Sequence, residues 1–393
     1  MKTWLRRVHL ILALVSGIFI VNLSVTGAFL VFGKDIQAWL NPQYWSVQPT
    51  QIADVLPIPL PVSQLAEQVY QTTHSPIVFI EQDKSSFRAW QVRLANKSYV
   101  SINQYNADVL LHYQYDETFY GFTMAWHRWL LYTADDARPF ALLPPIATLI
   151  MCGELLLGLY LWVRPKNRLK RLNVKWKAKN KIRFMQLHNV LGVYSLLPLF
   201  LIGFSGLAFY FKDETQVIVE TLTFSSVQTP QPTNVLSDNQ TFSQRNLWNN
   251  SSNEQYQLDA AVKSAQAELP GGWMYRVYLP QTRNAPLKLR IRMPNESHAY
   301  SYSWSNVSTG QAIESFDASE TSLATRVWNF KYAFHIGDFI ALPIKFMWLI
   351  LSLLPLFFVG SGIYLFFIRR RAKKDKLTTQ KNKRIRTING ATR

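Results

Sequence analysis

Seven histidines occur in the 393-residue chain, and four stand in apolar or aromatic surroundings: His9 in "RRVHLILALVSG", His127 in "TMAWHRWLLY", His188 in "MQLHNVLGVYS" and His335 in "YAFHIGDF". An imidazole so placed can ligate a metal through one ring nitrogen while the other bonds a neighbour. It can also snorkel from a span end into the polar interface, the ordinary fate of a single such residue. Spacing separates the two readings. His9 and His188 each open a long apolar run, and 18 residues on each run reaches a small pair, Thr26–Gly27 or Ser205–Gly206. His127 and His335 each sit on a short aromatic segment before a further apolar run. A break follows each, "TADDARP" in one case and Gly337 then Pro343 in the other.

The elements that must position these residues are membrane spans. Four stretches, about 8–33, 138–163, 186–211 and 340–368, are long enough for a hydrocarbon core of about 30 Å, which takes about 20 residues. The layout predicted is span 1–33, polar region with an elbow helix 34–137, span 138–163, basic loop 164–185, span 186–211, polar region with a second elbow helix 212–339, span 340–368, and basic tail 369–393. The first span is longer than a signal-peptide apolar region and no A-x-A-like site follows, so it is expected to remain as an anchor.

Of the 42 Lys and Arg residues, 24 fall in the N-terminus, the 164–183 loop and the tail from Arg369. Basic residues beside span ends mark the cytoplasmic side, so both termini and the basic loop are expected there, with both polar regions outside. The net charge of +18 is thereby a feature of span ends that face the lipid bilayer, and nucleic acid is not an expected partner. The single cysteine, Cys152, excludes an intramolecular disulfide, a cysteine-ligated iron–sulfur site and covalent c-type haem.

The chain reads as one unit written twice. "HLILALVSGIFIVNLSVTGAFLVFGKD" from His9 matches "HNVLGVYSLLPLFLIGFSGLAFYFKD" from His188, and "GLYLWVRP" from Gly158 matches "GIYLFFIRRR" from Gly362. Two such copies entering and leaving on the same sides are parallel repeats about an axis normal to the membrane, which keeps depth unchanged. His9 and His188 are then expected at one level, and His127 and His335 at another. At about 1.5 Å per residue, His9 lies about 35 Å of helix from Phe32, so pairing must cross the repeats. Two imidazoles on opposite faces of a flat macrocycle hold a b-type haem, so the four histidines predict two bis-histidine haems b. Zinc fits less well, since two histidines per level leave half a tetrahedral shell to find. Arg128 is a candidate for a haem propionate or for a lipid headgroup. Glu154, the one acid deep in a span, could relay protons or bond a neighbouring Ser or Thr.

Each polar region carries a pattern of one helix and three strands: "VSQLAEQVYQTT" then "PIVFIEQ", "FRAWQVRLA" and "SYVSINQYNADVLLHY", and again "YQLDAAVKSAQAEL" then "GWMYRVYLPQ", "PLKLRIRMP" and "AYSYSWSNVSTGQAIES". Two small α+β domains are expected. The unit ending in "VSTGQAIES", the "WHRWL" element and the spans ending in "GLYLW" resemble the PepSY-associated transmembrane helix family of bacterial inner-membrane proteins, over about residues 5–370. Asn189 follows the third histidine where that family usually has Arg, and "NQYNADVL" stands where Thr-Gly is usual.

The resemblance implies a four-helix membrane bundle with two periplasmic PepSY-like α+β domains, in the inner membrane, whose haems pass electrons to a ferric siderophore or other ferric chelate in the periplasm and release Fe(II). It assigns haem ligation to His9, His127, His188 and His335. No G-x-G-x-x-G fingerprint follows a strand, so the electron donor must be a separate cytoplasmic or membrane component. A cleft between the two domains, above the outer haem, is expected to take the chelate. Tyr120, Trp126, Arg326, Trp328 and Lys331 are candidates to line it, or else interfacial anchors. The rival reading is a non-redox membrane regulator whose PepSY-like domains bind a peptide or protein.

Overall fold

A computed structural model describes residues 2–48, 58–132, 137–231, 243–248 and 256–390. The helices are α1 (Lys2–Val31), α2 (Gly33–Leu40), α3 (Pro42–Trp45), α4 (Val62–Thr73), α5 (Phe119–Trp129), α6 (Leu143–Val163), α7 (Asn180–Leu207), α8 (Lys212–Thr223), α9 (Leu258–Ala267), α10 (Leu323–Ile336) and α11 (Leu342–Gly390). The strands are β1 (Ile77–Glu81), β2 (Trp90–Leu94), β3 (Tyr99–Ile102), β4 (Val109–Tyr113), β5 (Trp273–Tyr278), β6 (Leu287–Arg292), β7 (Ser301–Ser305) and β8 (Ala312–Phe316). They form two compact units. The helical unit comprises Met1–Val31, Trp126–Tyr210 and Lys345–Arg393, and the sheet unit comprises Phe32–Ala125 and Phe211–Ile344.

In the helical unit four helices among the described residues are long and apolar enough to cross a membrane: Trp4–Val31, Leu143–Val163, Asn180–Leu207 and Leu342–Gln380. Large apolar side chains such as Ile18, Leu149, Leu197 and Ile350 point outward, as a hydrocarbon solvent favours. Helix α6 packs on both α1 and α7, and it starts on Pro144–Pro145, where the missing amide is no loss. The α6–α7 approach is close because Gly203 has no side chain: a Cβ there would lie 2.9 Å from Cys152 Sγ. Pro355 interrupts the hydrogen-bond ladder of α11. Ser24 of α1 fills the gap, its hydroxyl donating to Ser352 O and accepting from Leu356 N at 3.3 Å. A hydroxyl from a neighbouring helix is what a broken ladder needs where water is absent.

The sheet unit departs from the sequence reading. Instead of two domains there is one antiparallel eight-stranded sheet, in the order β4-β3-β2-β1-β5-β6-β7-β8. Each predicted module contributes a four-stranded meander, and the modules are joined edge to edge by β1 and β5, with Ile80 opposite Val277. Each module exposed a bare strand edge, and pairing the two edges removes both. The long third strands are each two strands around a tight turn. In one turn Ala107 N–H donates to Asn103 O (2.9 Å), in the other Gly310 N–H to Asn306 O (2.8 Å), and both residues have left-handed backbone (φ 63° and 68°). The "NQYNADVL" departure is therefore the same turn made with alanine in the glycine position.

Helices α4 and α9 cover one face of the sheet, closing a single core of Leu65, Val69, Ile80, Val92, Ile102, Ala261, Val277, Leu289 and Ile291, all fully buried. Binary alternation produces that face: Leu287, Leu289 and Ile291 point in, while Lys288, Arg290 and Arg292 between them point to the other side. Among the described residues the two modules therefore share one continuous sheet, in place of the two separate domains of the sequence reading.

Candidate functional site

Within the helical unit the predicted histidines are held in a common way. His188 of α7 is hydrogen-bonded through Nδ1 to Ser361 Oγ of α11 at 2.8 Å. His127 of α5 is bonded through Nδ1 to Thr26 Oγ1 of α1 at 2.8 Å. His9 of α1 turns Nδ1 toward Glu154 Oε2 of α6 at 2.6 Å, a close polar contact. In each case a neighbouring helix holds Nδ1 and so sets the ring's orientation, which assigns any metal coordination to Nε2.

The contacts of His9 and His188 run alike. In each half the histidine of the first span leans on the second span of the same half: His9 on α6, His188 on α11. The two partners differ by one turn. Aligning "GLYLW" with "GIYLF" sets Glu154 against Phe358 and Leu157 against Ser361. Phe358 contacts the His188 ring edge-on, with centroids 5.2 Å apart. The same two helical positions thus serve both histidines, with a carboxylate at one in the first half and a hydroxyl at the other in the second.

Small residues make room for the rings. A Cβ on Gly27 would meet His127 Cε1 at 3.5 Å, and one on Gly158 would meet His9 Cε1 at 3.9 Å. Thr26 itself donates to Asn22 O at 2.6 Å, and Asn22 Nδ2 reaches Trp126 O at 3.4 Å. The Thr-Gly pair therefore has two jobs: the hydroxyl holds the imidazole and the glycine leaves space beside it. Ser205–Gly206 stands at the matching place of the second repeat in the sequence.

His335 lies one residue before the end of α10, which stops at Gly337 with left-handed backbone (φ 73°) as the predicted break requires. The first break, "TADDARP", falls largely on residues 133–136, outside the described residues. Arg128 stacks over Trp129, 5.2 Å from the ring centroid. Glu154 differs from its sequence reading: the neighbour it meets is His9, not a Ser or Thr. The hydrogen-bond partners Thr26 and Ser361 were not among the candidate site residues that the sequence singled out. The signal was there for Thr26, in the repeated small pair, and absent for Ser361.

Of the expected chelate-lining residues, Arg326, Trp328 and Lys331 lie together on α10. Trp328 is buried. Lys331 Nζ sits 3.4 Å above its ring centroid and donates to Trp328 O at 3.3 Å. Burial, with a smaller push from Lys212, lowers the Lys331 ammonium to about 8. Tyr120 stands edge-on to Tyr115 with Lys34 5.9 Å from its ring. Trp126 belongs to the helical unit and is partly exposed. The amide of Arg326 closes the first turn of α10 on Ser322 O.

Among the described residues no three His, Cys, Asp or Glu side chains cluster so as to hold a bare metal ion. Single imidazoles with an oriented ring fit the axial donor set of a haem better than a tetrahedral ion. No curated protein matches the chain. The family model for the PepSY-associated TM region matches residues 6–370, nearly the whole of the sequence, and the chain belongs to that family of membrane proteins.

Proposed function

We propose that the protein is a transmembrane electron carrier of the bacterial inner membrane that binds two haems b and reduces a ferric siderophore or related ferric chelate in the periplasm. His9 and His188 would hold one haem near the cytoplasmic ends of the spans. His127 and His335 would hold the other near the periplasmic ends, with Arg128 a candidate for its propionate. The observation that carries this reading is the shared orientation of three of the four histidines, each anchored through Nδ1 by a polar group of another helix. A snorkelling histidine needs no such anchor, whereas an axial ligand is usually fixed by one.

The haems would supply one-electron redox chemistry across the bilayer. The chain's own residues orient the ligand rings through Ser361, Thr26 and Glu154 and leave space through Gly27 and Gly158. Electrons would enter from a separate donor on the cytoplasmic side, which the basic 164–183 segment suits electrostatically when the donor is acidic.

The test is haem quantitation and a reduced-minus-oxidised spectrum of the purified full-length protein. Two haems per chain are expected, with His9→Ala or His188→Ala removing one and His127→Ala or His335→Ala removing the other. A colourless protein after expression with ample haem supply would overturn the reading. So would loss of the same haem from one substitution in each pair.

A further inference from the structure

The face of the sheet opposite α4 and α9 carries no stripe of aliphatic residues. Strand register sets its side chains in two rows that cross all eight strands. One row reads Tyr113, Tyr99, Arg93, Phe79, Tyr278, Lys288, Trp304, Glu314. The next reads Leu111, Ser101, Gln91, Glu81, Arg276, Arg290, Tyr302, Phe316. Where β5, β6 and β7 meet, cations and aromatic rings stand side by side in both rows: Tyr278, Lys288 and Trp304 in the first, Arg276, Arg290 and Tyr302 in the second. Lys288 Nζ lies 4.2 Å from the Tyr278 ring centroid and 5.8 Å from that of Tyr302. The Arg290 guanidinium lies 5.5 Å from the Tyr275 ring and 5.6 Å from Tyr300, and its Nε donates to Ala299 O at 2.6 Å.

The charges do not cancel. Glu81 is shared by Arg276 and Lys34, and Glu314 stands at the far end of its row on β8. Against these two acids, and Glu296 near Tyr300 and Tyr302, the face presents Arg93, Arg276, Lys288, Arg290 and Arg292, with Lys34 beside them. Lys288, Arg290 and Tyr302 are part-exposed, so the excess faces outward in the middle of β5–β7. A structural cation–π lattice would need no such surplus. A surface that offers ring faces and an excess of cations together suits a ligand that is both aromatic and anionic.

We propose that this face, centred on Lys288, Arg290, Tyr278 and Tyr302, binds the ferric chelate, and that the chelate is an anionic catecholate type and not a neutral or cationic hydroxamate. This rests on the reductase reading for its biological sense, but binding itself does not require haem. Flat catecholate rings would stack on the tyrosines while the cations meet the negative oxygens around the metal.

The experiment is equilibrium dialysis of the full-length protein in uncharged detergent against gallium(III) chelates, which cannot be reduced under these conditions. A gallium tris-catecholate is expected to bind saturably, about one per chain, and at least tenfold more tightly than a neutral or cationic gallium trihydroxamate. Lys288→Met with Arg290→Met should weaken it at least tenfold, while Lys288→Arg should keep it. Glu314→Gln, which removes an acid and leaves the cations in place, should not weaken it. Equal binding of the two chelate classes, or full affinity in the double variant, overturns the proposal. So does displacement of the catecholate by phosphatidylglycerol vesicles with the double variant equally affected, which would assign the charge to lipid. A coloured protein that binds no chelate would sink this inference alone, and a colourless one that binds would sink only the reductase reading.

Discussion

Acid should loosen the sheet unit, and His298 should be the first group to do it. Its ring stands edge-on between Tyr275 and Tyr332, with centroids 5.0 and 4.9 Å away. Its Nδ1 accepts a hydrogen bond from Ala299 N at 2.7 Å. Protonation would put a hydrogen on the nitrogen that is serving as acceptor. Burial, and after it the nearby Arg290, pushes this imidazole down to about 3. The folded state therefore refuses a proton that the unfolded chain takes near pH 6.5. Stability from this group is complete above that pH and declines as pH falls toward 3.

At pH 5 the unfolded histidine is about 1.5 units past its midpoint, which costs the fold about 2 kcal/mol. For a unit of this size that is a fall of about 4–8 °C in melting temperature. Glu81 adds a second step lower down. Burial alone would raise its carboxyl, but Lys34 and Arg276 hold it at about 2, so its contribution is lost as pH falls from about 4.5 toward 2. The assay is tryptophan-monitored melting of the full-length protein in detergent at pH 7.5 and 5.0, for wild type and His298→Gln. The wild type should lose several degrees between the two, and the variant clearly less. A drop of equal size in both proteins would refute the assignment to His298.

Much of this fold was legible because its periods are strong. The spans stand out by length alone, and the alternation of Leu287–Arg292 specifies a strand and its two faces. The fusion of the two modules was not legible, because an edge strand reads the same in sequence whether it is bare or paired. Nothing in "PIVFIEQ" announces that Ile80 will meet Val277 of the second copy. Dividing "SYVSINQYNADVLLHY" into two strands was hidden by Ala107 in a position that normally advertises itself as glycine. At the candidate site, the histidines and the small pair Thr26–Gly27 stood out through the sequence repeat. Ser361 did not, because a serine in a span is common and its partner His188 lies 173 residues away.

Three further outcomes follow from particular contacts. Ala107→Gly should stabilise the sheet unit by about 0.5–1 kcal/mol, since alanine is there held in left-handed backbone that Gly310 occupies freely in the other turn; an unchanged or lower melting temperature would count against it. Gly121→Ala should destabilise by more than about 3 kcal/mol, because the new methyl would stand 1.6 Å from the carbonyl oxygen of Tyr115, and wild-type melting would contradict that placement. The last concerns Glu154, 2.6 Å from His9 Nδ1. A carboxylate at that nitrogen makes the imidazole a stronger donor and favours the oxidised iron of the haem it would hold. Glu154→Gln keeps the shape and removes the charge, so the midpoint potential of that haem should rise by on the order of 60 mV, a tenfold change in a one-electron equilibrium. A haem that His127 would hold would have a threonine hydroxyl in the equivalent role, and its potential should not move. Redox titration of the purified variant separates the two, and equal shifts in both haems, or none in either, would show that Glu154 does not act through His9.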